Sequence, residues 1–347
     1  SLQLAGRWEF DFFGRHRAAL QAALATGRAA AAEAQAARVL IASSVVRSYL
    51  LLAHQLRTHE LLQATLQQRT RLRELLQARV DKGLDNTLAL RQADAACAEL
   101  QRQIERSTEQ AMLTRHAIAA LVGVGPQITQ TLAPRMTGLA TPPLPAALPA
   151  ELIGRRADLS AARWRVQAAL AQVDAAKAQF YPNVNLLAFA GLQSLGFAHW
   201  LDAGSRNFGI GPAITLPLFD AGALRAQLSA RSAEADAAIA DYNTTLGDAV
   251  RDVADQVASL QSLQRQAQAQ QAAQGAADAA QALAEQRYRA GIGTYASVLT
   301  QQGDVLTQQR AAADLQARRA DTIVALMRAL GGGFEADPAT PTPDPHP

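Results

Sequence analysis

The chain has 347 residues and a formal net charge of +3, and 49% of its residues are apolar although only 5% are aromatic. Basic and acidic residues alternate along it, which indicates solvated helix faces and argues against a nucleic-acid-binding patch. Its one cysteine, Cys97, excludes a disulfide framework and a thiolate metal cluster. Much of the apolar share is alanine, the strongest helix former, so the composition favours long helices that pack closely.

The first predicted element is a strand at the start of the chain. Apolar residues alternate there with polar ones, and one face carries Leu2, Leu4, Trp8, Phe10 and Phe12. This alternation is typical of a membrane-barrel strand, but a half-buried strand of a soluble sheet shows the same pattern. The segment lacks the charged, apolar and small-residue order of a signal peptide, so we expect a mature chain or one whose start is missing.

A very long helix is predicted from Arg15 to Val80, with Gly27 as its only interruption. At 1.5 Å per residue it would be about 100 Å long, and the spacing of its leucines predicts coiled-coil packing against a returning helix. Gly83 follows and predicts a tight chain reversal, the tip of a helical hairpin. The chain has no run of 18 or more apolar residues, which we take to exclude a transmembrane helix and to leave a barrel of strands as the way to cross a bilayer.

The second part of the chain begins after a proline-rich stretch, which predicts a linker over residues 126–150. The elements predicted next are a helix over Glu151–Phe180, strands over Asn183–Gln193 and Phe208–Leu218, and a long helix over Ala223–Ala290. Gly291 predicts a second hairpin tip. The proline-rich tail, residues 334–347, is expected to be disordered.

An offset of 208 residues relates the two parts of the chain. It pairs Gly14 with Gly222, Gly83 with Gly291, and Gly123 with Gly331. The offset predicts an internal duplication, with a first repeat over residues 1–125 and a second over residues 151–333. The segment 151–193 has no counterpart, because subtracting 208 places it before residue 1. We therefore expect the first repeat to lack its N-terminal part, including one strand.

Five short motifs, in order along the chain, resemble those of the TolC-type outer membrane efflux factors. They are WEFDFFGR at 8–15, LIGRRADL at 152–159, AQFYPNVN at 178–185, LPLFDAGAL at 216–224 and QRYRAG at 286–291. One departs from the family pattern, because Ala157 stands where proline is usual. The resemblance covers residues 2–333 and is to the outer membrane components of RND-type tripartite efflux pumps, the OprM and NodT-like proteins.

The resemblance implies a mainly α fold with a small β part. Long antiparallel coiled-coil hairpins would form part of an α-barrel in the periplasm, and short strands would form part of a transmembrane β-barrel in the bacterial outer membrane. The implied function is a passive exit duct for small molecules, as in multidrug resistance. The implied partners are a homotrimer, a periplasmic adapter (membrane fusion) protein, an inner membrane transporter and outer membrane lipid, with no cofactor. Many efflux members also carry a lipid-bearing cysteine, which would lie before residue 1.

The resemblance also assigns roles to residues near the tips. The adapter-contacting residues would be Lys82, Gly83, Leu84, Ala290, Gly291 and Ile292. Tyr288 matches a gate aromatic, although ordinary packing within the hairpin explains it equally well. The aspartate ring that family members carry beyond the glycine has no match at Ala89, Gln92, Ser297 or Thr300. Asp304, one turn later, is the remaining candidate for the gate.

The same residues argue against several other functions. The six histidines show no metal-ligand spacing, and the glycines of GVGP and GIGT do not join a strand to a helix, so we predict neither an enzyme nor a metal site. Two alternatives stay open: a soluble periplasmic coiled-coil adapter or scaffold, and the outer membrane component of type I protein secretion. An adapter would carry one hairpin flanked by β-domains, whereas this sequence predicts two hairpins.

Overall fold

The structure is a computed structural model. It describes residues 2–84, 86–136, 154–192, 206–220 and 222–332. The elements are β1 (Leu2–Phe10), α1 (Arg15–Asp81), α2 (Thr87–Val122), a 3-10 turn (Pro126–Thr129), α3 (Ala157–Ala178), β2 (Asn183–Leu192), β3 (Arg206–Thr215), α4 (Ala223–Arg289) and α5 (Tyr295–Ala329). The chain divides into two compact units. The sheet unit contains Ser1–Ala36 and Gly154–Asp248, and the hairpin unit contains Ala37–Ile153 and Ala249–Gly333.

The strands of the sheet unit form one antiparallel sheet in the order β1-β2-β3. Leu4 is opposite Ala190, and Ala190 is opposite Phe208. Since directly opposed residues share a face, this register places the even-numbered residues of all three strands on one side of the sheet. The predicted alternation of β1 and β3 therefore yields a single apolar face.

Two strands are shorter than the sequence predicts. β1 ends at Phe10 and not at Phe12, because the chain turns at Asp11 to enter α1. β3 ends at Thr215 and not at Leu218, because Thr215 is paired with Asn183, the first residue of its partner strand β2. The predicted end of β2 at Gln193 lies outside the described residues.

The boundaries of the remaining predicted segments are described only in part. Helix α3 begins at Ala157 and ends at Ala178, so it is shorter than the predicted Glu151–Phe180 helix. Residues 151–153, most of the predicted linker and the whole tail 334–347 lie outside the described residues. The linker begins with the 3-10 turn, in which the hydroxyl of Thr129 donates to the carbonyl of Arg115 on α2 (3.0 Å).

Helices α1 and α4 each have 67 residues, and their predicted bounds are correct to within one residue at each end. Gly27 does not interrupt α1, because one glycine costs a long helix only about 1 kcal/mol. Among the described residues, α1 alone is long and apolar enough to cross a membrane, with an 18-residue window of mean hydropathy 1.5. The sequence-based exclusion of every transmembrane helix was therefore too strict, although core helices of soluble proteins pass the same test.

In the hairpin unit, α1 lies between α2 and α5. Leu52 packs against Ala111 and Ile118 of α2. Leu61 packs against Leu306 of α5. Helix α5 in turn packs on α4 through the cluster Val253, Leu260, Ile323, Leu326 and Ala329. The helices therefore follow the order α2-α1-α5-α4, in which the contact between the two hairpins is made by α1 and α5.

Helices α1 and α5 run antiparallel. Arg47 pairs with Asp321 (Nε–Oδ1 2.5 Å), and further along α1 the side chain of Gln68 bonds to the backbone of Leu299. The contact made later in α1 is thus made earlier in α5. The C-terminal part of α1 therefore lies beside the start of α5. Both hairpin tips are consequently at the same end of the hairpin unit.

In the sheet unit, small side chains form the seam of α1. The buried positions are spaced alternately four and three residues apart and are Ala18, Ala22, Ala25, Ala29 and Ala32. This is heptad spacing with alanine in the core positions, which lets helices approach closely. At the edge of the seam the Arg28 guanidinium lies over the Trp164 ring of α3, 4.7 Å from its centre.

Candidate functional site: hairpin tips and sheet faces

The first hairpin tip is a tight helix ending built on Gly83. Its φ is +67°, which a residue with a Cβ rarely adopts. The N–H of Gly83 donates to the carbonyl of Val80 (2.9 Å), and the N–H of Leu84 donates to the carbonyl of Arg79 (2.8 Å). These two bonds form a Schellman motif, which satisfies carbonyls at the end of α1.

The second tip repeats this arrangement at Gly291. Its φ is +74°, and its N–H donates to the carbonyl of Tyr288 (3.0 Å). The N–H of Ile292 donates to the carbonyl of Arg287 (3.0 Å). The two glycines therefore terminate the two long helices in the same way, as the sequence predicts.

Each returning helix is capped at the position three residues after the glycine. The side chain of Asn86 accepts from the N–H of Leu88 (3.1 Å) at the start of α2. The hydroxyl of Thr294 accepts from the N–H of Ser297 (3.2 Å) at the start of α5. Both side-chain oxygens satisfy free helix N–H groups. Since each cap follows its glycine by three residues, the two tips have the same length and the same kind of cap.

The residue after each glycine is a large, exposed apolar side chain. Leu84 is 64% exposed and Ile292 is 70% exposed. Lys82 and Ala290, which precede the glycines, are exposed as well. The six residues predicted to contact an adapter thus lie at the two hairpin ends, with one apolar side chain presented by each.

The two gate candidates have different surroundings. The ring of Tyr288 lies 5.4 Å from that of Tyr295 across the tip of the same hairpin, with the planes tilted by 44°. This contact supports the packing interpretation of Tyr288. Asp304 is exposed on α5, next to the buried Gly303. The structure therefore does not bring the two candidates together in one contact within the chain.

The even-numbered face of the sheet is apolar and open. Its most exposed members are Leu2, Leu4, Trp8, Phe208, Ile210 and Ile214. Leu4 is 80% exposed and Phe208 is 82% exposed. A continuous apolar face of this kind, spread over three strands, marks a surface that contacts protein or lipid.

The odd-numbered face carries mostly polar or small residues. Gln3, Arg7 and Glu9 lie on β1, and Asn183 and Asn185 lie on β2. Most of the β3 positions on this face are small, with glycine at 209 and 211. The sheet therefore separates an apolar side from a polar side, apart from two residues of β2, Leu187 and Phe189.

The WEFDFFGR motif holds the junction between β1 and α1. The Asp11 carboxylate accepts hydrogen bonds from the backbone N–H groups of His16 (3.0 Å) and Arg17 (2.8 Å). Glu9 accepts from the side chain of Arg15 (3.4 Å). Burial acts to raise the pKa of Asp11, but the hydrogen bonds from Arg17 and His16 outweigh it, so the pKa lies below its usual value.

The LPLFDAGAL motif holds the equivalent junction before α4. The Asp220 carboxylate accepts hydrogen bonds from the backbone N–H groups of Leu224 (2.7 Å) and Gly222 (3.1 Å). These bonds hold the pKa of Asp220 below its usual value. The sequence identified both motifs by resemblance, and the structure explains their aspartates as helix caps.

A scan against family models adds the decisive observation. The model described as outer membrane efflux protein matches residues 1–124 and 148–332. The chain belongs to the outer membrane efflux protein family. Membership confirms the resemblance stated from the motifs, and it confirms the predicted outer membrane location and the role in efflux.

Curated relatives of this efflux protein cover different shares of its length. Fusaric acid resistance protein FusA of Burkholderia cepacia is 38% identical over 229 residues, which are 65% of this chain and 43% of FusA. Multidrug resistance outer membrane protein MdtP of Escherichia coli (strain K12) is 33% identical over 335 residues, which are 95% of this chain and 68% of MdtP. The matched region is thus less than half of FusA and about two thirds of MdtP.

A solved structure shows the same fold. The outer membrane protein VceC of Vibrio cholerae superposes with a TM-score of 0.87 at 40% identity, over 96% of this chain and 80% of that chain. The mainly helical fold with a small antiparallel sheet is therefore that of known outer membrane efflux proteins.

Proposed function

We propose that the chain is a subunit of the outer membrane channel of a tripartite efflux pump, a passive exit duct for small molecules. Family membership supports this function, and one structural observation carries it: the apolar face of the sheet is open. Phe208 and Ile210 on this face are 82% and 75% exposed. Hydrocarbon tails would cover such a face in a bilayer, whereas in water it would promote association.

The sheet would form part of a transmembrane β-barrel in a homotrimer. Strands β1 and β3 are the edges of the described sheet, and edge strands in lipid would leave backbone N–H and C=O groups unsatisfied. Pairing with strands outside the described sheet would remove those edges. In the closed barrel the apolar face contacts outer membrane lipid and the polar face lines the water-filled interior.

The two hairpins are proposed to be copies of one repeat, over residues 1–125 and 151–333, joined by the linker 126–150. The equal lengths of α1 and α4 support this origin. So do the two tips, which share the glycine conformation, the pair of backbone hydrogen bonds and the capped returning helix. Three subunits would assemble their hairpins into an α-barrel in the periplasm.

The tips are proposed to bind a periplasmic adapter, which connects the duct to an inner membrane transporter. The contacting residues are Lys82, Gly83, Leu84, Ala290, Gly291 and Ile292. The exposed Leu84 and Ile292 side chains support this role, since rigid apolar anchors dominate the affinity of protein contacts. Energy would come from the transporter, so this subunit needs no catalytic residue and no cofactor.

The gate of the duct is proposed to lie above the tips and to involve Tyr288 and Asp304. Both side chains are exposed in the single chain, Tyr288 by 47%. Copies of Asp304 from three subunits would bring like charges together inside the α-barrel, where their hydration would favour the passage of cations.

A matched pair of substitutions tests the orientation of the sheet. Phe208→Arg places a charge on the proposed lipid face, where it costs roughly 2–4 kcal/mol at the bilayer midplane. We expect this variant to be depleted from the outer membrane fraction. Asn207→Arg places the same charge on the polar face and should reach the outer membrane at the wild-type level, with an altered single-channel conductance in planar bilayers. Equal recovery of both variants, or wild-type protein in the aqueous supernatant, would contradict the proposal.

A further inference from the structure

Phe189 is the only aromatic residue on the polar face of the described sheet. It lies in β2, directly opposite Gly209 of β3. Its ring covers that glycine so closely that a Cβ at position 209 would lie 2.7 Å from each of two ring atoms. The ring is therefore held against the backbone of β3, a position that only glycine at 209 allows.

The cross-strand neighbours of Phe189 are small, and its own side chain is half-buried. On β1 the opposite residue is Ala5, and on β3 the same face continues with Gly211. Leu187, two residues earlier on β2, is 41% exposed on the same face. Phe189 and Leu187 thus form a small apolar patch on a face that is otherwise polar or small.

We propose that Phe189 is a stacking site for planar aromatic solutes inside the channel. The inference rests on the proposed function, because the polar face becomes the channel interior only when the barrel is closed. One side of the ring is then fixed by Gly209 and the other is available to a passing solute. Aromatic rings attract one another in offset or edge-to-face arrangements, and a ring already held in place loses little freedom on binding.

Symmetry adds to the effect, because each subunit of the trimer contributes one Phe189 ring at the same level of the barrel. A planar aromatic cation can therefore stack on equivalent rings at one depth, while a non-aromatic cation of equal charge is attracted only by the negative face of each ring. The class of ligand assigned to the site is the planar aromatic compound of about two or three fused rings, a size that can lie flat on one phenyl ring.

The test measures block of the channel in planar lipid bilayers. Ethidium is the planar aromatic probe, and tetraethylammonium is the non-aromatic cation of the same charge. We expect Phe189→Leu, which keeps apolar bulk and removes the ring, to raise the half-blocking concentration of ethidium about threefold to tenfold. Block by tetraethylammonium, which the ring attracts only through its negative face, should weaken less than block by ethidium. Phe189→Tyr should retain the wild-type response to ethidium, and Phe208→Leu, on the opposite face, should retain it too.

Gly209 gives a second, independent variant. A Cβ in Gly209→Ala displaces the ring from the strand, so ethidium block should weaken although Phe189 is still present. In the double variant Phe189→Leu with Gly209→Ala the effect should not exceed that of Phe189→Leu alone, because both changes act on the same ring. Additive effects would show that Gly209 acts through another feature of the strand.

The outcomes separate this inference from the proposed function. If wild-type protein conducts and Phe189→Leu leaves ethidium block unchanged, the stacking site is wrong and the channel stands. If ethidium and tetraethylammonium block weaken equally in Phe189→Leu, the residue acts through the width of the pore or through attraction of cations to the ring and not through stacking, which also overturns the inference. If wild-type protein does not conduct, the proposed channel fails, and the stacking site fails with it.

Discussion

Gln68 of α1 donates a hydrogen bond from its side-chain amide to the backbone carbonyl of Leu299 in α5, and it is only 2% exposed. The same amide group lies 3.7 Å from the position that a Cβ would take at Gly303. Its carbonyl oxygen, Oε1, has no hydrogen-bond partner among the described residues. A buried polar side chain therefore joins the two hairpins near the start of α5, with one of its two polar atoms satisfied.

Two substitutions at Gln68 should differ in their effect on stability. Gln68→Ala removes the hydrogen bond and leaves space between the helices, which should lower the free energy of unfolding by about 1–3 kcal/mol. Gln68→Met keeps the volume and also removes the unpaired oxygen, so it should cost less than about 1 kcal/mol. Denaturant unfolding of the detergent-solubilised protein, followed by circular dichroism, measures both. Equal losses would show that the hydrogen bond and not the packing dominates.

The glycines of α1 and of its tip should respond to alanine in opposite directions. Gly83→Ala forces a residue with a Cβ to a φ of +67°, which should destabilise the protein by roughly 1–2 kcal/mol. Gly27→Ala lies inside α1, where an added Cβ meets no atom within 4 Å, and should stabilise it by roughly 0.5–1 kcal/mol. Thermal unfolding of the two variants side by side checks the sign of each change. Stabilisation by Gly83→Ala would contradict the tight turn.

The cap at Asp220 predicts a pH dependence. Hydrogen bonds from Leu224 and Gly222 lower the pKa of Asp220, so it contributes its full stabilisation above the ordinary aspartate pKa of 3.8. That contribution is lost as the pH falls through the lowered pKa of the folded protein. Asp220→Asn keeps a side-chain oxygen that can accept these hydrogen bonds, but the amide does not titrate, so the cap should no longer depend on pH.

Melting temperatures measured from about pH 5 down to about pH 2 test this cap. The wild type should lose more stability over this range than Asp220→Asn. Asp241→Asn, an exposed substitution within α4, serves as the control and should follow the wild type. A curve for Asp220→Asn that is parallel to the wild-type curve would rule out the cap as the titrating feature.

The tips should be separable from the fold by mutation. Leu84→Asp combined with Ile292→Asp changes two exposed side chains, so the melting temperature should stay near the wild-type value. Contact with the adapter encoded with the same pump should be lost, as measured by site-specific photo-crosslinking in cells. Ile128→Asp, at a residue 69% exposed in the 3-10 turn, is the matched control and should crosslink normally. Wild-type crosslinking by the double variant would argue against adapter binding at the tips.

The sequence predicts the long helices well because their signals are local. Alanine-rich composition and the glycines at both tips fix α1 and α4 to within one residue at each end. Strand ends were predicted less well, since β1 stops where Asp11 bonds to the backbone of the following helix, which is a contact and not a propensity. The prediction also carried the helix through Gly27, where helix cooperativity over many turns outweighs one unfavourable residue.

Contacts between distant segments could not be predicted from the pattern. Nothing in the spacing of α1 indicates that Gln68 is buried against Leu299, because the residue is polar and interrupts the leucine stripe. The covering of Gly209 by Phe189 also depends on the register of β2 with β3. The glycines predicted the tight reversals at the tips, and the resemblance supplied the role of the tip residues. The hydrogen bonds that form each tip came from the structure alone.

The matched lengths of α1 and α4 restrict how such a chain can change in evolution. Removing seven residues from one long helix alone would shorten it by about 10 Å and change the offset between the two tips. Contacts with the neighbouring helices would then be lost, because α1 packs on α2 at Leu52 and on α5 at Leu61. Insertions and deletions should therefore be accepted only as compensating sets in all four helices, so that a shorter or longer duct arises by concerted steps.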